Sequence, residues 1–230
     1  MLRSTLVEKT QKRIKQMILN KEYDGRNYLP SEGRLCERFG VSRATVREAV
    51  RSMEVRGFLR REHGKGVRVI DNRVQVMTQF ISDMVSMNTS DLLEIIEVRR
   101  IIEVEATRLA ALHADAADLD CLHRFLDGME SANAMDDAYY ECDLRFHIHL
   151  VKASKNNLLF TLTNAYTPLM KDLVLASSHS DFIIEKKFHF HRGIFDSVCA
   201  RDPDAAAENM RKHMKTNYEN FMEHMCKTGT

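Results

Sequence analysis

The sequence predicts a mainly α protein in two parts: three helices and a β-hairpin over residues 1–73, then an all-α bundle of six or seven helices over residues 76–230. Three observations predict it. Apolar residues recur at helical spacing along almost the whole chain. The period shortens to that of strands only between Phe58 and Ile70. Charge divides near the same point: residues 1–68 hold 17 Lys/Arg against 8 Asp/Glu and the rest hold 17 against 25, although the 230-residue chain carries a formal charge of only +1. The first part should attract polyanions and the second should not.

The first helix opens at Thr5, with Glu8 at capping-box spacing, presents Val7, Ile14, Met17 and Ile18 on one face, and ends near Lys21. Ser31, after Pro30, starts a short second helix over Glu32–Phe39, which Gly40 stops. Ser42 caps a third that runs to Arg56, with Val46, Ala49, Val50 and Met53 on one stripe and Arg43, Arg47 and Arg51 on another. Phe58–Glu62 and Val67–Ile70 read as strands around the turn His63-Gly64-Lys65-Gly66, whose glycines permit positive φ. Beyond Val76 the pattern is helical, with breaks expected at Ser86–Ser90, His113–Ala117, Ala132–Asp136, Ser154–Asn157, Ser177–Asp181 and Arg201–Pro203. Pro168 falls inside one of these helices and should kink or split it.

With 44% hydrophobic residues, 9 Gly and 3 Pro, the composition excludes collagenous or linker-like sequence. No stretch approaches the roughly 18 apolar residues that a membrane span needs, and Met1–Lys15 lacks a signal-peptide core. Cys36, Cys121, Cys142, Cys199 and Cys226 are scattered and form no CxxC pair, which points away from a disulfide framework and toward a reducing cytoplasm.

A short helix joined through Gly40-Val41 to a third helix, with a hairpin after it, is a helix-turn-helix with a wing. Such a recognition helix buries one face and offers the other to the major groove of double-stranded DNA. Arg43, Ala44, Arg47 and Arg51 occupy the outer face, where a guanidinium can read guanine, and Ser42 and Thr45 can donate to phosphate. An arginine stripe alone describes a solvated helix face. Stripe, turn, wing and local positive charge together describe a DNA reader.

Leu29-Pro30-Ser31-Glu32, followed by Leu35-Cys36-Glu37-Arg38-Phe39-Gly40-Val41-Ser42-Arg43-Ala44-Thr45-Val46-Arg47-Glu48-Ala49, resembles the N-terminal winged helix of GntR-type bacterial transcription regulators. The resemblance implies that Arg43 and Arg47 contact the operator with Thr45 in support, and that His63 and Gly64, beside Lys65 at the wing tip, reach the minor groove. The chain departs from the family at Gly33, where members commonly carry a phosphate-contacting arginine. Arg34 follows one position later, about 100° round the helix.

In the acidic part, Asp143 and His147 are four residues apart on one helix and share a face with Tyr139, Phe146 and Leu150. His191 shares its face with Ile184, Phe188, Ile194, Phe195 and Val198, while His213 lines up with Ala206, Met210, Asn217 and Phe221. A carboxylate and three imidazoles from three helices thus point to one interior. Any one histidine alone reads as a satisfied core residue. The set, with a carboxylate that needs a counter-charge, reads as a divalent metal site, zinc first and nickel or manganese after it. Its affinity should fall at acid pH, since imidazole ligands must be deprotonated. His149 and His189 are assigned to the solvated surface. Arg99 and Glu103 form a second inward pair, beside Ile95, Ile102, Ala106 and Ala110, and are either an internal salt bridge or an anion clamp.

Glu97-Val98-Arg99-Arg100-Ile101-Ile102-Glu103, Asp143-Leu144-Arg145-Phe146-His147, Ala153-Ser154-Lys155-Asn156, His191-Arg192-Gly193-Ile194-Phe195 and Met210-Arg211-Lys212-His213 resemble the FCD effector domain of the FadR-type branch of that family. The resemblance implies a metal held by Asp143, His147, His191 and His213, with open positions for a small carboxylate effector near Arg99, Glu103 and Asn156. The sequence therefore reads as a cytoplasmic, homodimeric repressor or activator with no catalytic residues. Three rivals remain at this point: a sensor for which the ion is the signal, a metal-dependent hydrolase, and a plain dimerisation module with core histidines.

Overall fold

Ten helices and one two-stranded sheet make up the computed structural model, which describes residues 5–85, 89–132, 137–176 and 181–228. The chain divides into two units, Met1–Phe80 and Ile81–Thr230.

The first unit contains α1 (Leu6–Leu19), α2 (Glu32–Phe39), α3 (Arg43–Val55), β1 (Leu59–Glu62) and β2 (Gly66–Val69). Its helices start where side chains can satisfy their first free N–H groups. Thr5 and Glu8 form the predicted capping box on α1, Ser31 caps α2 and Ser42 caps α3. Gly40, at φ 65°, ends α2 in the left-handed conformation that glycine adopts without strain. The strands pair antiparallel from Leu59↔Val69 to Glu62↔Gly66, and Tyr28 bridges to Arg68 on the open edge. Ile14, Met17, Leu35, Val46, Ala49, Val50, Met53, Leu59 and Val67 close the core, so the expected apolar stripe of α3 is buried in full. Phe58 lies one residue outside β1, and the other boundary differences are of one or two residues.

Gly57 sets the path from the third helix into the fourth. Its φ is +76°, and a Cβ there would lie 2.8 Å from the Asn72 carbonyl. Asn72 donates its N–H to the Gly57 carbonyl at 2.9 Å, which fastens the start of α4 (Arg73–Val85) to the end of α3. The division between the units falls within α4.

The second unit continues with α5 (Thr89–His113), α6 (Ala116–Ser131), α7 (Asp137–Ala153), α8 (Asn157–Ala176), α9 (Asp181–Cys199) and α10 (Pro203–Thr228). The expected breaks around residues 114, 155 and 201 are present. Those at Ser86–Ser90, Ala132–Asp136 and Ser177–Asp181 fall largely outside the described residues. Pro168 does not split its helix: α8 runs through it. A proline removes one backbone donor, and the buried neighbours Ala165, Tyr166 and Thr167 hold the helix against its surroundings.

α5 packs chiefly on α10 and α7, α6 on α7, and α10 on α9. Between them lies a core of Ala110, Leu122, Leu126, Phe146, Leu150, Ile194, Val198, Ala206 and Met210. Phe146 and Leu150 on α7, Ile194 and Val198 on α9, and Ala206 and Met210 on α10 share their faces with polar side chains. Those side chains make the site.

Candidate metal centre and nucleic-acid interface

α7, α9 and α10 carry their polar residues inward because those residues keep step with the apolar stripe. His147, His191 and His213 are at most 2% exposed, while Asp143 is partly buried. One ligand atom from each of the four lies within 4.8 Å of the others. His147 Nε2 is 3.2 Å from His191 Nε2 and 3.1 Å from His213 Nε2, and Asp143 Oδ1 is 2.8 Å from His191 Nε2 and 3.7 Å from His147 Nε2.

α5 supplies the outer partners. Glu103 Oε2 lies 2.5 Å from His147 Nδ1, and its other oxygen accepts from Arg99 Nε at 2.6 Å. With Nδ1 turned to a carboxylate, the His147 ring points its Nε2 toward the other two imidazoles. Burial would raise the Glu103 pKa, but the charges of Arg99 and His147 outweigh it and hold the carboxyl below its usual range. Burial likewise opposes the charge on Arg99, and Glu103 overcomes it. The His213 imidazole is pushed well below its usual range, first by burial and then by its two histidine neighbours. The cluster gathers three imidazoles and one carboxylate, which is ligand chemistry for a borderline divalent ion.

Sequence reasoning placed Glu103 beside the effector. The structure engages both its oxygens, one on Arg99 and one on His147. The signal was available, because a ligating imidazole needs a partner for its second nitrogen and Glu103 was the inward carboxylate on α5. Asn156 is exposed, and its side-chain oxygen accepts from the N–H groups of Leu158 and Leu159 at the start of α8. Those partners make it a helix cap, and neither of them belongs to the histidine cluster. His149, assigned to the surface, is half-buried against Phe125, with Nε2 3.4 Å from Asp118. His189 is exposed as expected. Ile184, Phe188 and Phe221, placed beside the ligands by periodicity, have side chains that lie outside the described residues.

In the first unit, the outer face of α3 is as the sequence predicts: Arg43, Ala44, Arg47 and Arg51 are exposed, and Thr45 is half-buried. Ser42 Oγ accepts from the Thr45 N–H at 3.2 Å and lies 2.9 Å from Thr45 Oγ1, so the two hydroxyls form one polar corner at the helix start. Arg34 is exposed, as are His63, Gly64 and Lys65 at the wing tip, where Gly64 has φ 72°. Glu32 was missed. It accepts from Arg47 Nε at 2.9 Å and pairs with Arg61 at 3.3 Å, joining α2, α3 and the wing. That contact raises the Arg47 pKa above its ordinary value. Arg60, Arg61 and Arg68 add exposed positive charge on the strands.

A winged helix that exposes an arginine-faced recognition helix, followed by a helical unit with a buried histidine cluster, defines a DNA-binding transcription regulator. Residues 6–69 match the family of bacterial regulatory proteins called gntR, and residues 94–216 match the FCD domain. The chain belongs to the GntR family, in the group that carries an FCD domain, and is a DNA-binding transcriptional regulator. It is 29% identical over 212 residues to the HTH-type transcriptional regulator LutR of Bacillus subtilis, a match covering 90% of this chain and 96% of that protein. The Glc operon transcriptional activator of Escherichia coli is 30% identical over 206 residues, 84% of this chain and 80% of its own. Among solved structures, Streptococcus agalactiae GntR superposes with a TM-score of 0.75 at 25% identity, over 93% of this chain and 99% of that one. These relatives are regulators and not enzymes. Among the described residues, no helix is long and apolar enough to cross a membrane.

Proposed function

We propose that residues 1–73 read a double-stranded operator and that residues 76–230 hold a divalent ion, a small carboxylate effector and the contacts of a homodimer, in the bacterial cytoplasm. The observation that carries this reading is the cluster of three buried imidazoles and Asp143. With metal–ligand bonds of about 2.1 Å, two ligand atoms stand about 3.0 Å apart at a right angle and about 3.4 Å apart at the tetrahedral angle. The separations of 2.8, 3.1 and 3.2 Å fall at or near that range. Asp143, His147, His191 and His213 would hold the ion, zinc first and nickel or manganese after it. Bound there, it supplies a Lewis-acid attachment point for a carboxylate oxygen.

The remaining residues tune that site. Glu103 orients His147 and, by pairing with Arg99, keeps a guanidinium close enough for the Asp143 charge to act on it. One guanidinium against two carboxylates leaves the buried set negative by one charge while the imidazoles are neutral. With a dication the excess is positive by one, which suits a monocarboxylate. On the DNA side, Arg43 and Arg47 face bases, Ser42, Thr45 and Arg34 face phosphates, and His63, Gly64 and Lys65 enter the adjacent groove. Glu32 holds Arg47 until guanine replaces it. Two such readers on one pseudo-palindrome gain the affinity that one lacks. The effector changes operator affinity only as far as it binds one arrangement of the dimer better than another.

The test selects an operator from a random duplex library and follows its affinity by fluorescence anisotropy. Metal-loaded protein should change its affinity when a small carboxylate is added, and chelated protein should not respond. The same response with and without metal overturns the reading.

A further inference from the structure

The wing has two faces, and only one of them turns to the recognition helix. Side chains alternate along a strand, so Leu59, Arg61 and Val67 share the inner face. Leu59 and Val67 are buried in the core, and Arg61 reaches Glu32, which also holds Arg47 of α3. Arg60, Glu62 and Arg68 stand on the outer face, turned away from α3. The segment before α2 widens that face. The Asn27 carbonyl accepts from the Val69 N–H at 2.7 Å and Leu29 donates its N–H to the Val67 carbonyl at 2.9 Å, so the chain follows the free edge of β2 and sets Tyr28 opposite Arg68. From there the Tyr28 hydroxyl donates to Glu62 at 2.5 Å, across the register position of Gly66.

Charge on the outer face is unbalanced. Arg60 and Arg68 are directly opposed partners of the antiparallel pair, and both are exposed. Like charges in that position destabilise a ribbon. Arg68 meets Glu62 at 3.5 Å, whereas exposed Arg26, Arg60 and Lys65 have no ion pair among the described residues. Between the turn that carries Arg26 and the strands lies an open cleft of about 800 Å³, lined by Arg26, Tyr28, Lys65 and Arg68 together with two carboxylates. Both carboxylates are engaged: Glu62 by Tyr28 and Arg68, and Asp24 by the N–H groups of Arg26 and Tyr28 at 2.9 and 2.7 Å. What the cleft and the opposed arginines lack is an anion from outside the chain.

We propose that the outer face of the wing is a second backbone contact, on which Arg26, Arg60 and Arg68 bind phosphates of the duplex beyond the groove that the wing tip enters. The proposal rests on the reading of His63, Gly64 and Lys65 as groove contacts. Glu32 ties Arg47 to Arg61, so the recognition helix and the inner face of the wing serve one stretch of duplex, and the face turned away from them meets the next phosphates along it. Phosphate contacts position a protein without reading sequence, and each one releases counterions. The contact therefore lengthens the duplex that the protein needs without adding a base to its operator.

The test uses the full chain and the selected operator, carried in duplexes with about two or about ten base pairs of unrelated sequence at each end, the longer flank being one helical turn. Binding is read by fluorescence anisotropy over a range of salt concentrations. The wild type should bind the longer duplex about tenfold or more tightly at low salt, whatever the flank sequence, and with a steeper dependence on salt. Arg60→Gln combined with Arg68→Gln should bring the two duplexes within about threefold and reduce the salt slope on the longer one by about two per bound subunit. Its base preference on the operator should stay that of the wild type, which also shows that the reader is folded. Arg145→Gln combined with Arg211→Gln, which removes two exposed charges from the helical unit instead, should leave the wild-type slope in place. Equal binding of both duplexes by the wild type, a flank dependence that survives the change at Arg60 and Arg68, altered base preference in that variant, or an equal loss of slope on changing Arg145 and Arg211 each overturns the proposal. A wild type that selects no common sequence from the library overturns the underlying operator reading instead.

Discussion

On the winged unit the charged side chains stand in solvent, with Arg43, Arg47 and Arg51 along the outer face of α3. The helical unit also holds a charged pair inside, where Arg99 is 7% exposed and Glu103 2%. The two placements carry different information. A solvated arginine costs little to keep, so its presence says nothing until a fold gives it a groove to enter. A buried carboxylate must be compensated, and so its surroundings record its purpose: Glu103 is spanned by Arg99 and His147, and it aims the histidine at two others. The first unit offers a basic surface to DNA, and the second gathers three imidazoles and a carboxylate in its interior.

This contrast can be broken most sharply at Arg99. Arg99→Ala leaves Glu103 buried with one partner fewer and should cost about 3–5 kcal/mol in urea unfolding. An exposed pair of the winged unit, Arg38–Glu22, should contribute much less by the same measurement. Equal effects would erase the distinction between the units.

Glu103→Gln comes next. It keeps a hydrogen-bond acceptor near His147 Nδ1 but removes the charge, and it should lower zinc affinity by about 10–100-fold in a competitive chelator titration. Unchanged affinity would reduce Glu103 to a partner of Arg99.

On the exposed side, Arg47→Ala should relax base preference at one operator position by about 1–3 kcal/mol in a binding-site selection. Glu32→Gln, which frees the same guanidinium, should leave that preference in place. A uniform loss across all sequences would make Arg47 a phosphate contact.

The smallest effect belongs to Ser42→Ala. Losing the cap of α3 should cost about 1 kcal/mol of stability, and it should weaken DNA binding evenly across sequences, because the polar corner with Thr45 has no base to read. A change in base preference would place Ser42 among the readers.

Much of the fold was legible in the sequence because the signals are local. Caps at Thr5, Ser31 and Ser42, the glycine stop at position 40 and the turn at Gly64 act within a few residues, and those elements fall where they were expected. The convergence of the histidines was legible through period alone, since His147, His191 and His213 keep step with Phe146, Ile194 and Met210. What escaped is long-range or ambiguous. The Glu103–His147 contact joins residues 44 apart on different helices, and Glu32 meets Arg47 only once α2 and α3 have packed. His149 was misplaced because the side of a helix opposite its ligands is not solvent in a bundle: α7 also packs on α6, where Asp118 meets it. Asn156 fits a motif, yet its position between two helices is also that of a cap, and the cap is what the structure shows.

If the three imidazoles and Asp143 gather one divalent ion inside the helical unit, that ion should travel with the purified chain. Elemental analysis combined with native mass spectrometry on gently purified protein tests it most directly, with His191→Ala as the comparison. One ion per wild-type chain is expected, lost in the variant while helical circular dichroism persists. Wild-type protein that holds no ion even after incubation with zinc, and whose thermal midpoint does not move when zinc or a chelator is added, would contradict it.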